Sequence, residues 1–91
     1  MRLKGKKCIV TGGSSGIGEA TVRRFISEGA EVLIADINLE DSKKLLEEIG
    51  EGVDYIKCDV RLEDDIISVS EKAYGMWDQV DVLVNNAGSE L

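Results

Sequence analysis

The sequence predicts an α/β domain built on a parallel sheet, and three observations carry that expectation. Short apolar runs alternate with amphipathic stretches along the whole chain. The segments between successive runs are long enough for helical crossovers, which parallel strands need and hairpins do not. A glycine-rich stretch, Thr11-Gly12-Gly13-Ser14-Ser15-Gly16-Ile17-Gly18, stands between the first strand and the first helix.

The elements follow in order. Lys7 to Val10 reads as a β-branched strand, and Glu19 to Glu28 as a helix with Ala20, Val22, Phe25 and Ile26 on its apolar stripe. Gly29 sits where a helix end favours a left-handed residue. Glu31 to Asp36 is a continuous apolar run closed by an acid, as expected of a strand buried on both faces. Asn38 offers an N-cap with Asp41 three positions on, opening a helix with Leu39, Leu45, Leu46 and Ile49 on one side and Gly50 and Gly52 at its exit.

Val53 to Cys58 alternates, which suits an edge strand, and Asp59 closes it. From Leu62 the apolar positions Ile66, Val69 and Ala73 predict a third helix, with Gly75 as its end. Val80 to Asn85 is the fourth strand. Four parallel strands joined by right-handed crossovers give a doubly wound sheet in the order 3-2-1-4, with the glycine turn at the carboxyl end of strand 1, beside the point where strand order reverses.

Composition narrows the function. The 91 residues suggest a single domain, and 43% hydrophobic with 32% charged residues is the balance of a globular chain. No apolar run reaches the roughly 20 residues of a membrane span, and no signal-peptide apolar region follows the first charges, so a cytoplasmic location is expected. The net charge of −7 repels polyanions and makes nucleic acid an unfavourable partner. The basic cluster from Arg2 to Lys7 reads as a solvated lead-in, with a binding arm as the alternative. Cys8 and Cys58 both fall in predicted strands and read as free core thiols rather than a disulfide or a metal pair. The absence of histidine excludes Ser-His and Cys-His nucleophile systems and weakens any metal reading.

The glycine stretch points to an anion. Gly12, Gly16 and Gly18 can take positive φ and admit a ligand to the main chain, and the first free N–H groups of the following helix point at it. A flexible Gly/Ser linker is the alternative, but a linker is not flanked by a β-branched strand and an amphipathic helix. Asp36, eighteen residues after Gly18, ends the second strand where a carboxylate accepts hydrogen bonds from the hydroxyls of an adenosine ribose. An acid that merely closes a strand is the alternative. The charge of Asp36 repels a 2′-phosphate, and Ile37 and Asn38 offer no cation to hold one, which favours NAD over NADP. Asn85 and Asn86 at the end of strand 4 are also compatible with a simple polar turn.

Together, Thr11-Gly12-x-x-x-Gly16-x-Gly18, Asp36, Asp59-Val60 and Asn85-Asn86-Ala87-Gly88 resemble the successive cofactor-half motifs of the short-chain dehydrogenase/reductase family. The resemblance covers essentially the whole chain and implies residues 1–91 as half of a doubly wound Rossmann fold that binds NAD(P). It implies that Gly12, Ser14, Ser15, Gly16, Ile17 and Gly18 wrap the pyrophosphate and adenosine side, with the Ile17 N–H near the phosphates. Asp36 and Ile37 would flank the adenosine ribose, and Asp59 and Val60 would border adenine. Asn86, Ala87 and Gly88 would run along the ribose nearer the nicotinamide, and Asn85 would fix the central strands.

Two departures from the family pattern matter. Met76-Trp77-Asp78-Gln79-Val80 lengthens a connection that is usually very short, and Trp77 is expected in the core. The family's catalytic serine and Tyr-x-x-x-Lys pair lie beyond the fourth strand. Asp59 stands four positions after Tyr55 and Asp78 four after Tyr74, so neither tyrosine has the lysine that would lower its pKa. The expected function is NAD binding without catalysis by these residues alone. The alternatives are an NAD-dependent oxidoreductase of alcohols and ketones completed by a further segment or second chain, and a structural or interaction module that keeps the fold. The exposed fourth strand and a sheet face with a single helix predict self-association.

Overall fold

The structure is a computed structural model that describes residues 2–14 and 16–86. The elements are β1 (Lys7–Thr11), α1 (Gly16–Ser27), β2 (Glu31–Asp36), α2 (Leu39–Ile49), β3 (Val53–Lys57), α3 (Glu63–Met76) and β4 (Val82–Asn85). The four strands form one parallel sheet in the order β3-β2-β1-β4, the order expected of the doubly wound arrangement. Ile9 lies opposite Leu33 on one side and Leu83 on the other, which aligns the carboxyl ends of the central strands along one edge.

Alternation along the strands builds two apolar layers. Cys8, Val10, Val32 and Ile34 pack with Val22 of α1 and Leu45 of α2 on one face. Ile9, Leu33 and Ala35 pack with Val69 and Ala73 of α3 and with Trp77 on the other. Both faces of β2 are buried, which is why its sequence is continuously apolar. The two cysteines are buried free thiols in opposite layers, so no bridge between them forms.

Helix boundaries follow local chemistry. The Asn38 side chain accepts the Asp41 N–H at 3.0 Å and donates to the Asp41 carboxylate at 2.9 Å, satisfying a free donor at the start of α2. Gly29 ends the α1 turn at φ +91, as its position required.

Gly75, in contrast, does not end α3. It lies inside the helix, and the helix stops one residue after it, where Trp77 turns to extended backbone and buries its indole against the sheet. Burial of Trp77, rather than a left-handed glycine, terminates this helix. The start of α1 also moves, to Gly16, because the glycine turn itself feeds the first helical turn. Strand β3 ends at Lys57, before Cys58, and β4 begins at Val82 instead of Val80.

The basic lead-in is docked onto the fold. Leu3 N–H donates to the Glu28 carbonyl at 2.8 Å, Arg2 N–H to the Glu28 carboxylate at 3.0 Å, and Lys7 pairs with Glu31. The Lys7–Glu31 pair is partly open to solvent and contributes modestly, but the main-chain bonds tie the segment to the end of α1.

Candidate functional site

The carboxyl ends of the strands bring the glycine loop, Asp36 and Asn86 into direct contact. Gly12 follows β1 at φ +64 and donates its N–H to the Ala35 carbonyl at 2.8 Å, so the loop is anchored to β2 as it leaves the sheet. Gly16 opens α1 at φ +57, and a Cβ built on it would meet none of the described residues within 4 Å. The loop is thus open to a ligand at the point where the first N–H groups of α1 are unpaired. Ile17, the next residue, is 76% exposed.

Gly18 is a glycine for a different reason from the one the sequence suggested. Its φ is not positive. A Cβ at this position would stand 1.9 Å from the Gly12 carbonyl oxygen and 2.9 Å from Nδ2 of Asn86. Close approach of helix to turn, not backbone conformation, excludes a side chain here. Gly13 is also packed, with Ile34 and Val22 side-chain carbons 3.1 Å from where its Cβ would be.

Asp36 is only 8% exposed, and its carboxylate is fixed by three donors. Oδ2 accepts the Ser14 N–H at 3.0 Å and the Ser14 hydroxyl, and Oδ1 accepts the Asn38 N–H at 2.9 Å. The same acid therefore joins the glycine loop to the start of α2. Ile37 beside it is 57% exposed.

At the end of β3, the Cys58 N–H donates to the Asp36 carbonyl at 3.0 Å, which sets Asp59 and Val60 next along the edge. Asp59 is engaged by Arg61: Oδ1 accepts from the Arg61 main chain at 3.0 Å and from Nε at 2.9 Å, and Oδ2 accepts from Nη2 at 2.7 Å. These hydrogen bonds hold the Asp59 pKa down to about 2. The Asp59 N–H in turn donates to the Asp65 carboxylate of α3 at 2.9 Å. Burial, followed by the charges of Asp65 and Asp59, pushes the Cys58 thiol pKa up, which disfavours a reactive thiolate.

Strand β4 completes the edge. The Thr11 hydroxyl accepts the Asn86 N–H at 2.9 Å and faces the Val84 carbonyl and the Asn85 side-chain oxygen, both at 3.2 Å. Asn86 Nδ2 donates to the Gly12 carbonyl at 3.2 Å. Of the thirteen residues expected to line the site, Ser15, Ala87 and Gly88 lie outside the described residues. Arg61 and Asp65 did not figure in the expectation. Arg61 carried a signal, an arginine two positions after a strand-closing acid, whereas the reach of Asp65 is set only by the helix start.

Residues 6–91 match the family described as short chain dehydrogenase. The chain belongs to this family. It is 46% identical over 88 residues to sex determination protein tasselseed-2 of Zea mays, covering 96% of this chain and 26% of that protein. It is 42% identical over 87 residues to tropinone reductase-like 1 of Erythroxylum coca, covering 96% of this chain and 32% of that protein. A solved structure of 3-ketoacyl-(acyl-carrier-protein) reductase from Brucella melitensis, complexed with NADH, superposes with a TM-score of 0.85 at 33% identity, covering 89% of this chain and 33% of that one. The chain spans about a third or less of the length of these relatives.

The residues present fit a nicotinamide dinucleotide. The turn leaves the open cradle at Gly16, the helix start supplies N–H donors, and a carboxylate is fixed at the end of the neighbouring strand, the arrangement a pyrophosphate and a ribose require.

Proposed function

We propose that residues 1–91 form the cofactor-binding half-domain of a short-chain dehydrogenase and bind NAD in preference to NADP. The observation that carries the preference is Asp36: a buried carboxylate, held in place by Ser14 and Asn38, at the end of the strand beside the glycine turn, where this reading puts the adenosine ribose. A 2′-phosphate brought there meets a fixed negative charge, and neither Ile37 nor Asn38 offsets it.

In this reading Gly12, Ser14, Ser15, Gly16, Ile17 and Gly18 take the pyrophosphate and adenosine side, and Asp36 and Ile37 flank the ribose. Asp59 and Val60 border adenine, while Asn86, Ala87 and Gly88 follow the ribose nearer the nicotinamide. Bound nicotinamide supplies the hydride acceptor or donor. These residues orient it, but none is placed to move the accompanying proton: Tyr55 and Tyr74 have aspartates, not lysines, four positions on. The 91 residues therefore bind the cofactor without completing the reaction. The second reading, an NAD-dependent oxidoreductase of alcohols or ketones completed by a further segment or a second chain, agrees with the chain spanning a third or less of its relatives' length.

The reading extends to a cytoplasmic location and to self-association through β4. No described helix is long and apolar enough to cross a membrane. Leu83 of β4 is 63% exposed and borders a pocket of about 300 Å³ with Ile9, Val60, Ile66 and Val69, an apolar surface that favours being covered.

Calorimetric titration of NAD and NADP into the wild type and Asp36→Ala tests the cofactor reading. NAD is expected to bind at least tenfold more tightly than NADP, a difference on the order of 1.4 kcal/mol, and the substitution to narrow the gap. Tighter binding of NADP than NAD by the wild type, or no NAD heat from folded protein, overturns it.

A further inference from the structure

The carboxylate of Asp36 is almost fully occupied before any ligand arrives. An ionised carboxylate offers roughly four acceptor directions. Oδ2 already accepts two hydrogen bonds, from the Ser14 N–H and the Ser14 hydroxyl, and Oδ1 accepts one from Asn38 N–H. One direction remains, on Oδ1. A ribose diol presents two hydroxyls, so its full engagement requires one of the present donors to leave.

The three donors are not equally free. The Ser14 and Asn38 N–H groups are fixed by the loop and by the turn into α2, whereas a serine hydroxyl moves by rotation about a single bond. Ser14 also borders a polar pocket of about 280 Å³ between α1 and α2, shared with Glu19, Arg23 and Asp41. A hydroxyl turned away from Asp36 meets polar surroundings there and not the apolar core.

We propose that the Ser14 hydroxyl is a displaceable placeholder, satisfying the buried Asp36 carboxylate in the free protein and yielding Oδ2 to an adenosine-ribose hydroxyl when the dinucleotide binds. The inference rests on the NAD reading given above and deepens it. Ser14 is a positioning residue: its hydroxyl gives Oδ2 a second hydrogen bond beside that of the Ser14 N–H and so orients the buried carboxylate. Ribose binding exchanges one hydrogen bond for another, which moderates affinity while preserving discrimination against a ribose that lacks a donor.

The test compares NAD with an NAD analogue lacking both adenosine-ribose hydroxyls, each titrated into the wild type and Ser14→Ala. The substitution keeps the Ser14 N–H and removes the competing hydroxyl. Ser14→Ala is expected to raise the ratio of NAD affinity to analogue affinity roughly three- to tenfold over the wild type, the scale of one net hydrogen bond, because any contact of Ser14 with the rest of the dinucleotide is common to both ligands. An unchanged or smaller ratio overturns the placeholder role. A wild-type measurement checks the same point independently of the variant. The Ser14 χ1 couplings are expected to change on adding NAD and to change less on adding the analogue; an unmoved Ser14 under saturating NAD overturns the inference while leaving NAD binding intact. Failure of the wild type to bind NAD overturns the cofactor reading itself and the inference with it.

Discussion

The Thr11 hydroxyl accepts the main-chain N–H of Asn86 at 2.9 Å, joining the first strand to the exit of the last across 75 positions of sequence. Its own proton faces β4, and Asn86 reaches back to the Gly12 carbonyl. One hydroxyl thus sets the spacing between the glycine turn and the end of β4. Thr11→Val keeps the shape and removes these bonds from a site only 8% exposed. The variant is expected to lose about 1–3 kcal/mol in a denaturant titration and to shift the Gly12 and Asn86 amide resonances; Thr11→Ser is expected to recover most of the loss.

Two glycines predict opposite outcomes. Gly18→Ala places a carbon 1.9 Å from the Gly12 carbonyl oxygen, so helix and turn must separate, at a cost of roughly 3 kcal/mol or more. Gly75→Ala sits inside α3 with nothing within 4 Å of the new carbon and is expected to stabilise the fold by about 0.5–1 kcal/mol. Thermal melting of the two variants beside the wild type checks both signs.

The Asp59–Arg61 pair predicts a pH dependence. The folded-state pKa of Asp59, about 2, lies below its usual value of 3.8, so whatever the pair contributes is present in full above about pH 4 and lost as pH falls through about 2. The Arg61 guanidinium is open to solvent, so the pair's contribution to stability is small. The clearer readout is the titration itself: Arg61→Gln is expected to move the Asp59 carboxyl midpoint, followed by carbon NMR, back toward the ordinary carboxylate range. An unmoved midpoint contradicts the clamp.

Self-association is checked by sedimentation. The wild type is expected to associate with rising concentration, and Leu83→Lys, which puts a charge on the exposed face of β4, to remain monomeric or nearly so. A well-folded wild-type monomer at high concentration counts against association through this edge.

Much of this architecture was legible in the residues. The apolar run of β2 announced a strand buried on both faces, and Asn38 with Asp41 announced a cap that forms as expected. Gly75 misled because a glycine near a predicted helix end looks like a C-cap; the stop comes from the burial of Trp77, which no local pattern encodes. Gly18 reads from sequence as a loop glycine free to take positive φ, yet it lies in the first turn of α1 against Gly12, since sequence shows which residue lacks a side chain but not what would collide with one. The role of Arg61 depends on its side chain folding back onto Asp59, a contact that residue spacing alone does not specify.

By itself the sequence determined the strand order, the two-layer packing and the edge on which the motifs meet, because periodicity and crossover length act locally and leave few topologies open. Only the tertiary structure decided how the site is wired. That Ser14 and Asn38 share Asp36, that Thr11 holds Asn86, and that Gly18 lies against Gly12 are relations between separate segments of chain. Such relations depend on distances of a few ångströms, which are set when buried polar groups must each find a partner as the elements pack.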